Sequence, residues 1–105
     1  MSNPIVVTAI FEPAEGQHDA VLDVLKPSIA AVHEEDGCLL YAIHENPTGT
    51  IVMIEKWATE QLLDIHGSSP AVVAQRAALD GLLARPVEVT RLVPIPAGTP
   101  EQGSL

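Results

Sequence analysis

Residues 51–66, IVMIEKWATEQLLDIH, change their periodicity half-way, and that change decides the fold. Ile51, Met53, Glu55 and Trp57 alternate with Val52, Ile54 and Lys56, which is the two-residue period of a strand, and the β-branched content suits a pleated surface. Both sets are mostly apolar, so this strand is expected to be covered on both sides. At Thr59 a hydroxyl able to cap free backbone N–H groups precedes Glu60, and Leu62, Leu63 and His66 then recur at helical spacing. The chain's one tryptophan therefore ends a strand and a histidine ends the short helix after it. Glu55, Trp57 and His66 are placed to face one cavity, which is the candidate site.

Upstream, residues 4–12, PIVVTAIFE, are a second apolar, β-branched run, stopped by Pro13 and Gly16. Here too both faces read as covered, with Ile5, Val7, Ala9 and Phe11 opposite Val6, Thr8 and Ile10. Val21, Val24, Leu25, Ser28, Ile29 and Val32 form the stripe of an amphipathic helix over residues 17–35. Pro27 lies inside that helix and is expected to bend it, since its ring removes a hydrogen bond and crowds the preceding turn. Gly37 supplies a left-handed stop. The acidic run Glu34-Glu35-Asp36 reads as a solvated helix end.

Residues 38–46, CLLYAIHEN, alternate as a strand, and Asn46-Pro47-Thr48-Gly49 turns it into the strand from Ile51 as an antiparallel hairpin. Beyond His66, Gly67 breaks the short helix, and Ser69-Pro70 offers a cap followed by proline at the first helical position. The helix that follows carries Val72, Val73, Arg76, Leu79, Leu82 and Leu83 on one side and ends before Pro86. Residues 87–93, VEVTRLV, read as a last strand. Residues 1–96 are expected to form a single domain and residues 97–105 a flexible, Pro- and Gly-rich tail.

The order strand, helix, strand, strand, helix, strand defines an α+β, ferredoxin-like βαββαβ plan: a four-stranded antiparallel sheet with its helices on one face. Such a plan leaves the second sheet face bare, whereas these strands are apolar on both faces. A homodimer joined through the sheet faces is therefore expected, a dimeric α+β barrel.

At 105 residues and 47% hydrophobic composition, the chain suits one core. Fourteen acids against five bases give a net charge of −9, which opposes nucleic acid and anionic membrane surfaces as partners. One cysteine, Cys38, cannot form an internal disulfide, and no charged start followed by a long apolar run marks a signal peptide or spanning helix, so a cytoplasmic protein is expected. His18, His33, His44 and His66 lack metal-ligand spacing, and no Gly-rich phosphate loop follows a strand.

The sequence resembles the antibiotic biosynthesis monooxygenase family, which includes quinol monooxygenases. The residues carrying the resemblance are Gly37-Cys38 leading into Leu40-Tyr41, then Glu55-Lys56-Trp57, Leu62, His66 and Ser69, an E-x-W…L-x-x-H-x-x-S pattern. It extends from Ile5 to Val93. The resemblance implies a dimer that oxidises electron-rich aromatics such as quinols or anthrones with molecular oxygen, without metal, flavin or haem. Ala71 departs from the quinol-type pattern, in which a second histidine often stands there. The Asn, Trp, His set of the haem-degrading branches has no match here, so haem degradation is not expected.

Under this resemblance the catalytic candidates are His66 and Arg76. Oxygenation without a cofactor requires the substrate to lose a phenolic proton before it passes an electron to oxygen, and an imidazole titrating near neutrality suits that step. A helix-capping role for His66 weighs equally. Arg76 could stabilise a phenolate or superoxide, or pair with one of the many acids. The substrate-binding candidates are Trp57, Glu55, Tyr41 and Asn46. Trp57 could wall an aromatic ligand or anchor helix to sheet, and Glu55 could orient His66 or pair with Lys56, Arg91 or a backbone donor. Asn46 equally suits the turn, and Tyr41 and His44 point to opposite faces. The alternative to an enzyme is a non-catalytic dimeric module that binds a small apolar or aromatic ligand in the same cavity.

Overall fold

A computed structural model describes residues 3–105 of the chain. Its elements run β1 (Ile5–Phe11), α1 (His18–His33), β2 (Cys38–Glu45), β3 (Ile51–Trp57), α2 (Glu60–His66), α3 (Pro70–Leu79) and β4 (Glu88–Leu92). The four strands form one antiparallel sheet in the order β2-β3-β1-β4, with β1 between β3 and β4. This is the expected ferredoxin-like arrangement, with the second crossover divided into two helices.

The caps explain that division. Thr59 Oγ1 accepts from the backbone N–H of Leu62 at 3.1 Å and starts α2, while Ser69 Oγ accepts from Val72 N–H at 3.3 Å and starts α3, with Pro70 at its first position. Helix α1 runs unbroken through Pro27. Gly37, at φ +80°, turns the chain from α1 into β2, and its carbonyl accepts from Ala58 N–H at 2.9 Å. The hairpin turn is closed by Asn46, whose Oδ1 accepts from Thr48 N–H at 2.9 Å and Thr50 N–H at 3.1 Å.

The core lies between the sheet and the helices. Val7, Ala9, Phe11, Tyr41, Ile51, Met53 and Trp57 from the sheet meet Val21, Leu25, Val32, Leu63 and Leu79 from the helices. The expectation that the central strands are covered on both sides holds for one face within a single chain. On the other, Thr8, Ile10, Val52 and Ile54 are only half-buried.

Helix α3 is shorter than its sequence pattern implies. It ends at Leu79, and Gly81 at φ +80° turns the chain, so Leu82 and Leu83 reach the core edge from a loop rather than from the helix face. Its buried side is Val72, Gln75 and Leu79, a three- and four-residue spacing that leaves Val73 and Arg76 outside. Residues 97–103 of the tail close a local loop through the Ala97 N–H to Gly103 carbonyl and Gly103 N–H to Thr99 carbonyl bonds.

Candidate active site

A cavity of about 440 Å³ opens between the sheet and helices α2 and α3, within the ~300–1,000 Å³ range of small-molecule pockets. Short side chains line its floor, Val7 and Ala9 from β1, Val89 from β4 and Val87 just before β4. Phe11, Leu63, Val72 and Leu79 complete its apolar walls, and its polar groups are Tyr41, Glu55, His66, Gln75, Arg76 and Arg91.

His66, at the end of α2, is 6% exposed. Its Nδ1 lies 2.9 Å from Glu35 Oε1 and its Nε2 3.8 Å from Glu55 Oε1, so one imidazole sits between two carboxylates. The ring stacks at 4.4 Å and 33° on the Trp57 indole and meets Tyr41 edge-on at 5.5 Å. Packed against Trp57 and Tyr41 and hydrogen-bonded at Nδ1, the ring is held in one orientation, with Nε2 free of a hydrogen-bond partner among the described residues.

Glu55 is buried, and that burial pushes its carboxyl above the usual carboxylate value; the indole N–H of Trp57, donated to Oε1 at 2.9 Å, and nearby His66 oppose the rise. Tyr41 is likewise driven by burial, with a smaller contribution from the charges of Glu55 and Glu35, up to about 12, against the opposing Gln75 hydrogen bond. It remains a neutral phenol across the physiological range. The Gln75 amide donates to Ser28 Oγ at 2.7 Å and to the Tyr41 hydroxyl at 3.3 Å, tying α3 to α1 and β2.

The expected site residues separate into three groups. His66, Glu55 and Tyr41 meet at the cavity, and Arg76 stands at its exposed rim, with no ion-pair partner among the described residues. Trp57 is fully buried behind His66 rather than lining the cavity, and its N–H is taken by Glu55, so it supports the imidazole and offers no free donor to a ligand. Asn46 is an exposed turn residue away from the cavity, its side chain bonded to Thr48 and Thr50.

Three polar residues, Glu35, Gln75 and Arg91, were not visible as site candidates. Glu35 is not solvated like its neighbours: its side chain is 19% exposed, and besides His66 it accepts from Ser69 Oγ at 3.0 Å. Gln75 is the buried polar residue of α3, one position from the expected Arg76. Arg91 also lines the cavity, and bridges β4 to α2 through Glu60 at 3.2 Å and Asp64 at 2.7 Å. Among the described residues no group of three or more His, Cys, Asp or Glu side chains is placed to hold a metal ion, and no helix is long and apolar enough to cross a membrane.

Fold and site together define a small ferredoxin-like α+β protein with a buried imidazole beside a largely apolar cavity. Residues 4–78 match the family model for antibiotic biosynthesis monooxygenase, and the chain belongs to that family. It is 35% identical over 96 residues to Rv0793 of Mycobacterium tuberculosis, a protein named as a candidate monooxygenase, the match covering 90% of this chain and 95% of that one. The solved structure of Rv0793 has a TM-score of 0.85 at 34% identity and covers 92% of this chain and 100% of its own. PA3566 from Pseudomonas aeruginosa gives 0.80 at 26% identity, covering 89% and 95%. A Caulobacter crescentus protein at 24% identity and TM-score 0.83, with 90% and 92% covered, shares the fold.

Proposed function

We propose that this protein is a cofactor-independent monooxygenase that oxidises a quinol-like or polycyclic phenolic substrate with molecular oxygen. The observation that carries this reading is His66, a buried imidazole with one nitrogen bonded to a carboxylate, at the edge of a cavity of about 440 Å³ with apolar walls. Such walls suit a flat aromatic, and its hydroxyl finds buried polar partners where His66, Glu55, Tyr41 and Gln75 converge, with Arg76 and Arg91 as the further polar groups of the lining.

In this reading His66 removes the phenolic proton. The electron-rich anion passes one electron to O₂, the substrate radical and superoxide recombine at carbon, and the resulting peroxide loses water. One oxygen atom stays on the substrate as a carbonyl, the other leaves as water, and the substrate supplies both electrons and both hydrogens. Arg76 at the rim stabilises the anionic species, and the apolar walls keep bulk water from the radical pair. A homodimer joined through the half-buried sheet faces shields the apolar side chains of β1 and β3 that the chain's own helices leave uncovered.

The test is oxygen uptake by the purified protein against quinols, naphthols and anthrones, with His66→Ala beside it. Uptake by the native protein and its loss in the variant are expected. Tight binding of a panel member with no uptake would replace this reading with that of a ligand-binding module.

A further inference from the structure

We propose that Glu35 is the positioning residue for His66: its carboxylate holds the imidazole as the Nδ1–H tautomer and so leaves Nε2 as the proton acceptor beside the cavity. The proposal deepens the reading above and rests on it for its catalytic consequence, though not for the tautomer itself.

A neutral imidazole carries one N–H, and which nitrogen bears it is set by the partner of each. Around His66 the partners are unequal. Glu35 Oε1 stands at hydrogen-bond distance from Nδ1, 2.9 Å, whereas Glu55 Oε1 is 3.8 Å from Nε2, beyond it. Burial further favours the neutral form of Glu55, which weakens it as a competitor for the imidazole proton. The remaining polar groups facing the ring do not alter the balance. Tyr41, from β2, stays a neutral phenol, and the Trp57 N–H, from β3, is already donated to Glu55.

Glu35 is itself fixed. Ser69 Oγ donates to its second oxygen, Oε2, at 3.0 Å, and Ser69 is held as the cap of α3. One carboxylate thereby joins the loop after α1, the last residue of α2 and the N-cap of α3. Of the three consecutive acids only Glu35 turns inward; Glu34 and Asp36 are exposed. The imidazole cannot swing to another partner, because Trp57 packs on its face and Tyr41 on its edge. When the substrate O–H breaks, the proton forms the new bond at Nε2, and the positive charge on the ring lies against the Glu35 carboxylate. This is the division of labour by which a buried acid orients a general base.

The test reads the imidazole nitrogens directly. Long-range proton–nitrogen NMR spectra of the ¹⁵N-labelled protein, at a pH where the ring is neutral, identify the tautomer, and the signal missing from His66→Gln assigns it. The native protein is expected to show Nδ1–H. Glu35→Ala is expected to move the signal toward the Nε2–H form or a mixture, and the surface control Glu34→Ala to leave it unchanged. A native His66 in the Nε2–H form, or the same spectrum in Glu35→Ala as in the native protein, would overturn the proposal, and the first of these needs no variant to fold. With a substrate in hand, Glu35→Ala should lower kcat about ten- to a hundredfold while KM changes less than about threefold. Equal loss in Glu34→Ala would show a general charge effect and count against Glu35. A native protein with the expected tautomer and no turnover of any substrate would remove the proposed reaction and leave the positioning intact.

Discussion

The indole N–H of Trp57 donates to Glu55 Oε1 at 2.9 Å across two residues of the same strand, with both side chains under the helices. The pair forms because alternate residues of β3 share a face, and a carboxylate on that face needs a donor once it leaves water. Trp57 therefore serves the site from behind, stacking on His66 and neutralising part of the cost of burying Glu55.

Replacing Trp57 with Phe retains the stack in part and deletes the donor. The lost hydrogen bond to a charged group should cost about 1.5–3 kcal/mol when Glu55 is ionised. Because that bond lowers the Glu55 pKa, its loss should cost more at pH 8 than at pH 5, whereas the packing loss is the same at both. Urea unfolding of native protein and variant at the two pH values separates the contributions. An equal cost at both would mean that the bond contributes nothing to Glu55.

Glu55 also imposes a pH dependence of its own. Burial raises its folded pKa above the ordinary 4.5, so the folded state holds this proton more tightly than the unfolded chain. The group's contribution to stability is then greatest at low pH and is lost as pH rises from about 4.5 through the folded value. Glu55→Gln removes the titration. The stability of the native protein relative to this variant should fall between pH 4 and pH 8, and a difference that is flat or rises would contradict the burial argument.

How much of this was legible beforehand follows from the range of each interaction. The strand and helix order was readable because residues 51–66, 4–12 and 17–35 each carry a local period, and Thr59, Ser69 and Gly37 punctuate them. His66 and Glu55 were legible as chemistry facing one cavity, whereas the strand period of β2 placed Tyr41 and His44 on opposite faces without saying which face is inward. Glu35 was not: it lies 31 residues from His66 and 34 from Ser69, and only the assembled topology shows that the middle acid of a surface-like run faces inward. On α3 the difference between Gln75 and Arg76 is a rotation of one residue. The apparent stripe through Leu82 and Leu83 set the phase wrongly, since those residues follow the turn at Gly81. Trp57 was correctly placed on its face, but the partner of its N–H depended on side-chain packing.

A second pH-dependent contact lies outside the cavity lining. His18 Nε2 is 2.7 Å from Glu45 Oε2, and its Nδ1 is 3.5 Å from Asp19, so those hydrogen bonds raise its pKa above 6.5. The folded state thus holds the His18 proton more tightly, which stabilises the fold below the unfolded value and ceases to do so as pH rises through the folded one. His18→Gln should destabilise the protein more at pH 5.5 than at pH 8.5. Since the pair is exposed, the effect should shrink in 1 M salt. Thermal unfolding at both pH values, with and without salt, checks sign and screening together.

Gly37 connects the fold to the site, since it turns the chain just after Glu35. Its φ of +80° is one that a side-chain-bearing residue adopts at a cost of roughly 1–2 kcal/mol, and a Cβ there would lie 2.5 Å from Leu62 Cδ1 and 3.0 Å from Leu62 Cβ. Relieving that overlap adds about 1–3 kcal/mol, because Leu62 belongs to the helix that presents His66. Gly16 separates the two costs: its φ is +77°, yet nothing lies within 4 Å of the point where a Cβ would stand. Gly16→Ala should therefore show the backbone cost alone, and Gly37→Ala should be less stable than Gly16→Ala by about 1–3 kcal/mol in urea unfolding. Displacement of Leu62 should also disturb the Glu35–His66 contact, so the imidazole NMR signal of His66 should move in Gly37→Ala and stay in place in Gly16→Ala. Equal stabilities would mean that Leu62 yields freely and that the close approach of α2 to this turn does not set the position of His66.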